Sequence, residues 1–157
     1  MRTVQGCFGN CIECLDPYKN TWIIKWNKRE ETNDREELIT KWEEEVFNHK
    51  PTMEEIKSTI EGYYNTKVQE KILSGFTWEG ETVWLTQENQ LNYKSLYDLQ
   101  NDINVVKVGE NNYITFNTFG DYKKFYLATI EFIKNTLTKC WNQKDEFDYS
   151  PYEIKEK

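Results

Sequence analysis

Three cysteines near the start of the chain, Cys7, Cys11 and Cys14, stand at the spacing C-x3-C-x2-C. Radical-SAM enzymes bind an iron–sulfur cluster at this spacing, because three thiolates leave the fourth iron free for the cofactor. Those enzymes place the loop on a large barrel of alternating strands and helices. A chain of 157 residues that is rich in hairpin signals does not supply such a barrel, so the spacing alone does not predict a cluster.

Zinc is the second chemistry open to these thiols, with His49 or Cys140 as a fourth ligand. No second C-x2-C or H-x3-H pair completes that ligand set. The pattern favours free thiols kept reduced by their compartment, and we predict neither a metal site nor any other cofactor.

The remaining polar residues form no catalytic motif. His49 is the only histidine, and its place beside a proline turn is typical of a surface or capping residue. The chain has no G-x-S-x-G elbow, no P-loop and no G-x-G-x-x-G. No carboxylate pair lies in a glycosidase-like motif. We therefore predict that the protein is not an enzyme.

The net charge is −7, and both halves of the chain are acidic. Binding to nucleic-acid phosphates needs a cationic stripe, so we predict no nucleic-acid partner. No apolar run approaches the ~18 residues of a membrane span, and the first residues lack the apolar core of a signal peptide. We expect no membrane association. We also expect the protein to be synthesised in a cytoplasm. The acidic run Glu43–Glu45 is typical of a solvated strand edge.

The elements that would position these side chains begin with a long β-hairpin. Trp22 and Trp26 lie on one face of a first strand, because side chains alternate between the faces of a strand. A charged turn from Asn27 to Glu36 follows, and then a second strand contains Trp42 and Phe47. An aromatic ribbon must bury such a face on the body or on a neighbour. We predict an interaction site formed by these four aromatic residues, and we expect Trp26→Ala to reduce assembly more than folding.

After this hairpin the chain alternates hairpins with amphipathic helices. Threonine caps predict three helix starts, at Thr52, Thr86 and Thr118. Turn signals at residues 79–81 and 109–112 predict the hairpins between the helices. The predicted fold is therefore α+β, in the order ββα-ββα-ββα, with a long C-terminal helix.

The predicted organisation has three parts. Residues 1–50 hold the cysteine-containing leader and the N-terminal hairpin, which together form the interaction region. Residues 51–148 form the α+β body. Residues 149–157 form a tail, because Pro151 and mixed charge argue against a continued helix.

Three motifs lie in residues 71–99: K-I-L-S-G-F-x-W, then W-L-T-x-E-N-Q-x-N-Y-K, then Y-D-L. In these motifs the chain resembles a family of small tailed-phage and prophage proteins from tail and fibre gene neighbourhoods. The likeness extends over roughly residues 45–152, and the cysteine-rich leader lies outside it. The chain is also distantly similar to the C-terminal part of tail-fibre assembly proteins.

The resemblance implies a structural component of a tailed-phage virion: a fibre, tail or adaptor protein that acts through protein–protein contacts. The implied partners are other virion proteins and the chain itself, as a dimer or trimer. The implied location is the virion, after synthesis in the host bacterial cytoplasm. The first alternative is a tail-fibre assembly chaperone that is not retained in the particle. The second is a small metal-binding protein that uses the N-terminal cysteines.

Overall fold

The computed structural model describes residues 1–102 and 104–154. It confirms an α+β protein, with three helices and eight strands in these residues, 42% helical and 29% strand. The predicted ββα-ββα-ββα order is present, with two further strands before it. Ile103, predicted in the third hairpin, and residues 155–157 of the predicted tail lie outside the described residues. The elements are β1 (Arg2–Gln5), β2 (Ile12–Asp16), β3 (Thr21–Thr32), β4 (Leu38–Phe47), α1 (Met53–Ser74), β5 (Phe76–Trp78), β6 (Glu81–Val83), α2 (Gln87–Leu99), β7 (Asn104–Lys107), β8 (Tyr113–Phe116), α3 (Phe119–Asp145) and a 3-10 turn (Ser150–Tyr152).

Two compact units divide these elements. The first consists of Met1–Tyr63 together with Glu146–Lys157, and the second consists of Tyr64–Asp145. Helix α1 contributes residues to both units. These boundaries differ from the three predicted segments, because the chain enters the second unit in the middle of a helix.

The first unit contains a four-stranded antiparallel sheet in the order β1-β4-β3-β2. Strand β3 continues through most of the stretch that was expected to be a turn, and the chain reverses at Asn33–Glu37. Charged side chains stabilise this extension, since Glu31 binds Lys41 of β4 across the strands at 2.7 Å and Arg29 of its own strand at 2.8 Å. The expected turn was therefore placed too early in the chain.

The expectation that Glu43–Glu45 form a solvated edge is wrong. Strand β4 is a central strand, and Glu43 and Glu44 are each 4% exposed. Each buried carboxylate has a cationic partner: Arg29 Nη1 lies 2.9 Å from Glu43 Oε1, and Arg2 Nε lies 2.7 Å from Glu44 Oε1. Buried charges persist when they are paired in this way, so the acidic run is compatible with the middle of the sheet.

Helix α1 begins at the predicted capping box. The Glu55 N–H donates to Thr52 Oγ1 at 3.2 Å, and the Thr52 N–H donates to Glu55 Oε2 at 2.7 Å. In the first unit the helix packs on the sheet, where the Tyr63 ring lies edge-on to Trp26 with centroids 5.7 Å apart. The capping box therefore predicted correctly where α1 begins.

The second unit arranges two hairpins, the C-terminal half of α1, and helices α2 and α3 around one apolar core. Strands β5 and β6 form the predicted hairpin and are joined by Glu79 and Gly80, whose φ values are 46° and 87°. The turn is one residue shorter than the predicted stretch 79–81, because Glu81 already pairs with Trp78. Thr86 and Thr118 cap α2 and α3 through their side chains, as predicted. The buried core residues of this unit are Val68, Ile72, Val83, Leu85, Tyr93, Val106, Val108, Phe116, Tyr122, Phe125 and Cys140.

The start of the predicted tail belongs to the core of the first unit. Residues Ser150–Tyr152 form a 3-10 turn, and Tyr152 is 4% exposed. Its hydroxyl donates a hydrogen bond of 2.6 Å to the Lys25 carbonyl.

None of the described helices is long and apolar enough to cross a membrane.

Candidate protein-binding surface

The four aromatic residues predicted as an interaction site occupy two different environments. Trp26 is 1% exposed and Trp42 is 4% exposed, so both belong to the core of the first unit. Trp22 and Phe47 are half-buried and lie opposite each other in the β3–β4 register. Lys50 Nζ lies 5.8 Å from the centre of the Trp22 ring. Of the predicted set, Trp22 and Phe47 retain side-chain surface that a partner can touch.

Trp42 lies under the loop that joins β1 to β2. The Phe8 ring of this loop packs edge-on against it, with centroids 5.7 Å apart. Lys25 Nζ lies 5.9 Å from the Trp42 ring, donates to the Phe8 carbonyl at 2.8 Å and pairs with Glu13 at 3.1 Å. Hydrogen bonds from the Asn10 N–H and then from Lys25 lower the pKa of Glu13. These contacts fasten the loop to the sheet, which is a structural role.

Of the three clustered cysteines, Cys7 and Cys11 lie on this loop and Cys14 lies in the middle of β2. Cys7 and Cys14 are exposed and Cys11 is half-buried, all as free thiols. Within residues 1–102 and 104–154, no three His, Cys, Asp or Glu side chains are grouped to hold a metal ion. Burial raises the pKa of Cys11, which disfavours the thiolate that a metal needs. Cys140 is buried in the second unit, with Sγ 3.5 Å from the Tyr64 carbonyl oxygen.

His49 extends the helix cap of α1. Its Nε2 lies 2.8 Å from Glu55 Oε1, while the other oxygen of that carboxylate accepts the Thr52 N–H. The bond from Thr52 and then the one from His49 lower the pKa of Glu55. The histidine thus has the capping environment that its position beside Pro51 indicated.

Helix α2 is tied to the chain that precedes it through its first turn. Asn89 Nδ2 donates to the Trp84 carbonyl at 2.8 Å, and Gln90 Nε2 donates to the Leu85 carbonyl at 2.7 Å. The Asn89 N–H also donates to Thr86 Oγ1 at 3.1 Å. The motif E-N-Q therefore supplies two side-chain amides, Asn89 and Gln90, that reach the carbonyls before the helix.

Tyr93 fixes the middle of α2 in the second unit. Its hydroxyl donates to the Lys107 carbonyl on β7 at 2.7 Å, and its own carbonyl accepts the Tyr122 hydroxyl of α3. Burial raises the pKa of Tyr93 to about 12, so its hydroxyl stays protonated and remains a donor at neutral pH. The helix is therefore fixed from the β7–β8 hairpin on one side and from α3 on the other.

An apolar groove lies on each side of α2, and Tyr93 contributes to both. The groove beside α3 has a volume of about 300 Å³ and contains Leu91 and Ile130. The groove beside β7 and β8 has the same volume and contains Leu96, Val105 and Tyr113. The position of α2 thus creates two neighbouring concave surfaces on one unit.

The apolar side chains of these grooves reach the solvent. Leu91 is 66% exposed, Val105 60%, Tyr113 62% and Ile130 44%. Single exposed apolar residues are ordinary, but a set that flanks one helix is typical of a contact surface. We call Leu91, Leu96, Val105, Tyr113 and Ile130 the α2 surface.

Comparison of the chain with protein-family models, with curated proteins and with solved structures finds no match. The phage-protein resemblance thus stays a prediction, and the geometry of the α2 surface is the independent observation beside it.

The sequence predicted α2 but not the surface around it. The apolar residues of this helix, Leu91, Tyr93, Leu96, Tyr97 and Leu99, are spread over more than half of its circumference. A single core contact buries a narrower stripe, so part of this set had to remain outside the core. That excess was the available signal, and Leu91 and Leu99 are the residues left exposed, at 66% and 63%.

Proposed function

We propose that the chain is a small structural component of a tailed-phage virion, a fibre, tail or adaptor protein, and that it binds a neighbouring virion protein through the α2 surface. The observation that supports this most is the position of one motif. The stretch W-L-T-x-E-N-Q-x-N-Y-K, which carries the phage-protein resemblance, leads into α2 and ties it to Trp84, Leu85 and Lys107. The motif thereby holds open the apolar grooves on both sides of the helix.

The chemistry of these grooves suits a protein partner. Burial of their apolar side chains contributes about 25 cal/mol per Å² removed from water. The helix is already fixed by Tyr93 and Gln90, so binding costs little conformational entropy. The polar groups of Gln90 and Tyr93 already donate to backbone carbonyls, so these groups stabilise the fold. In this role the chain is made in the host bacterial cytoplasm and joins the virion with copies of itself, as a dimer or trimer.

Quantitative mass spectrometry of purified particles tests the proposal. Particles made with the wild-type gene should contain the chain at a fixed stoichiometry. The double variant Leu91→Asp/Ile130→Asp should be lost from the particle, because two carboxylates cannot be buried without partners. Leu73→Asp is the matched control, since Leu73 is 47% exposed on α1 and lines neither groove. Circular dichroism should show all variants folded.

Two results would overturn parts of this proposal. Complete particles that lack the wild-type chain would remove the structural role and support the tail-fibre assembly chaperone. Normal incorporation of the folded double variant would show that the chain enters the particle through another surface.

A further inference from the structure

A third groove of the second unit is basic, although the chain as a whole is acidic. It lies between α1 and α3 and has a volume of about 190 Å³. The two helices are joined beside it by Lys144 Nζ, which donates to Asn65 Oδ1 at 2.9 Å. Lys67, Lys71 and Lys139 line the groove, and no carboxylate of residues 1–102 or 104–154 lines it. We call it the lysine cleft.

The lysine cleft contains two lysines without a counter-charge from the described residues. Lys67 is not one of them, since it contacts Glu70 at 2.9 Å. Lys71 and Lys139 form no ion pair with any residue in the described part of the chain. Ammonium groups that share one groove repel each other, and an anion bound between them relieves that repulsion.

The shape of the cleft favours a carboxylate on a peptide over a phosphate group. Its floor includes Val68, which is 8% exposed, and the half-buried Tyr64. The cleft follows the sides of two helices, so it lacks the N–H groups that a helix N-terminus offers to a phosphate. Lysines on flexible stems above an apolar floor suit the methylenes and the carboxylate of an acidic side chain.

The first unit presents an acidic segment of this kind. Strands β3 and β4 continue as a two-stranded ribbon to the turn Asn33–Glu37, which carries three carboxylates and one arginine. Asn33 Oδ1 accepts the N–H groups of Arg35 and Glu37, each at 2.9 Å. The turn is ordered before it meets a partner, which lowers the entropy cost of binding. We call this turn the acidic tip.

The charge balance of the two units supports contact between copies. The first unit contains 17 acidic and 11 basic side chains, a net charge of −6, and the second contains 10 and 9, a net charge of −1. Two first units repel each other. The acidic tip of one copy and the lysine cleft of another attract each other, which directs the encounter.

We propose that the lysine cleft of one copy binds the acidic tip of a second copy of the chain. Each copy presents a cleft and a tip, so the contact closes into a reciprocal dimer or a larger ring, such as a trimer, or extends as a filament. The inference rests on the self-association in the proposed function and assigns it to two surfaces. The cleft is a different site from the α2 surface, so the contact holds whatever the α2 surface binds.

Sedimentation velocity of two neutralised variants and of their mixture tests this contact. One variant has a neutral cleft, Lys71→Gln/Lys139→Gln, and the other has a neutral tip, Asp34→Asn/Glu36→Gln/Glu37→Gln. Each alone should be monomeric where the wild type associates. Their mixture should form a 1:1 complex and stop there, because one intact tip meets one intact cleft. The matched control Lys123→Gln/Lys134→Gln removes two exposed lysines of α3 outside the cleft and should associate like the wild type.

Salt and phosphate provide the second measurement. Association of the wild type should weaken at least tenfold at about 0.5 M salt, since the attraction is between exposed charges. A wild type that stays monomeric at millimolar concentration, or one that associates equally well with the neutral cleft, would overturn the contact. Inorganic phosphate that binds the cleft of a monomeric wild type would also overturn it and assign the cleft to a small anion.

Discussion

Tyr93 connects three elements of the second unit through a single residue. Its hydroxyl reaches the Lys107 carbonyl at 2.7 Å, its carbonyl accepts the Tyr122 hydroxyl, and its ring lies 5.3 Å from the Phe125 ring. The side chain is 2% exposed. The ring contributes packing and the hydroxyl contributes position, so the two contributions can be separated by a substitution that removes only the oxygen.

We expect Tyr93→Phe to reduce the free energy of unfolding by about 1 kcal/mol, because the hydrogen bond to the Lys107 carbonyl is lost. Tyr113→Phe is the control, since Tyr113 is 62% exposed on β8 and should change stability by less than about 0.5 kcal/mol. Urea unfolding followed by circular dichroism measures both. Equal stability of the two variants would mean that the hydroxyl of Tyr93 contributes nothing to the fold.

Trp26 illustrates how burial changes the expected effect of a mutation. Its 1% exposure and its contact with Tyr63 place it in the core of the first unit. We therefore expect Trp26→Ala to lower the free energy of unfolding by about 3–5 kcal/mol, the usual loss for a buried aromatic residue. Trp141→Ala is the control, because Trp141 is 53% exposed on α3. A Trp26→Ala variant that kept its unfolding midpoint but lost association would restore the docking role expected from the sequence.

Replacement by alanine should have opposite effects on stability at Gly62, inside α1, and at Gly75, just after it. Gly62 lies inside α1, and a Cβ there would meet nothing within 4 Å. Gly75 follows α1 with φ of +74°, and a Cβ there would lie 1.6 Å from the Val83 carbonyl oxygen. We expect Gly62→Ala to stabilise by about 0.5–1 kcal/mol through helix propensity. Gly75→Ala should destabilise by more than about 1 kcal/mol, because the backbone must move. Thermal unfolding of both variants checks the pair, and stabilisation by Gly75→Ala would contradict it.

Local signals predicted the elements whose causes are local. Each helix start followed from a threonine whose side chain accepts an N–H three residues later, as at Thr86 and Thr118. The hairpin turn predicted within residues 79–81 followed from the same kind of short-range chemistry, and it lies at Glu79 and Gly80. These features depend on neighbours within a few positions, so a single sequence contains the information.

Long-range pairing explains what the sequence did not predict. Strands β1 and β2 are four and five residues long and have no strict alternation, and they exist through pairing with β4 and β3. The burial of Glu43 and Glu44 depends on Arg29 and Arg2, which are distant in the chain. The α2 surface likewise depends on where α3 and the β7–β8 hairpin meet the helix. None of these contacts leaves a periodic signal in the sequence.

Charge is distributed unevenly over the whole molecule. Most of the net charge of −7 belongs to the first unit, and the second unit carries the apolar α2 surface and the lysine cleft. Contacts made by the α2 surface should depend weakly on salt, and contacts made by the lysine cleft should depend on it strongly. Salt dependence thus separates the two kinds of association in the intact protein.

The whole molecule should fold without a metal ion. Cys7 and Cys11 on the β1–β2 loop and Cys14 in β2 are free thiols, and structural zinc sites close with four ligands. The loop is already fastened by Lys25, which binds the Phe8 carbonyl and Glu13. We expect the same melting temperature with and without EDTA, both for the wild type and for the control in which all three cysteines are replaced by serine. When a metal site is structural, the free energy of metal binding contributes directly to the free energy of folding. One equivalent of zinc in the purified wild type, with a large fall in melting temperature on chelation that the serine variant does not show, would instead make these cysteines ligands.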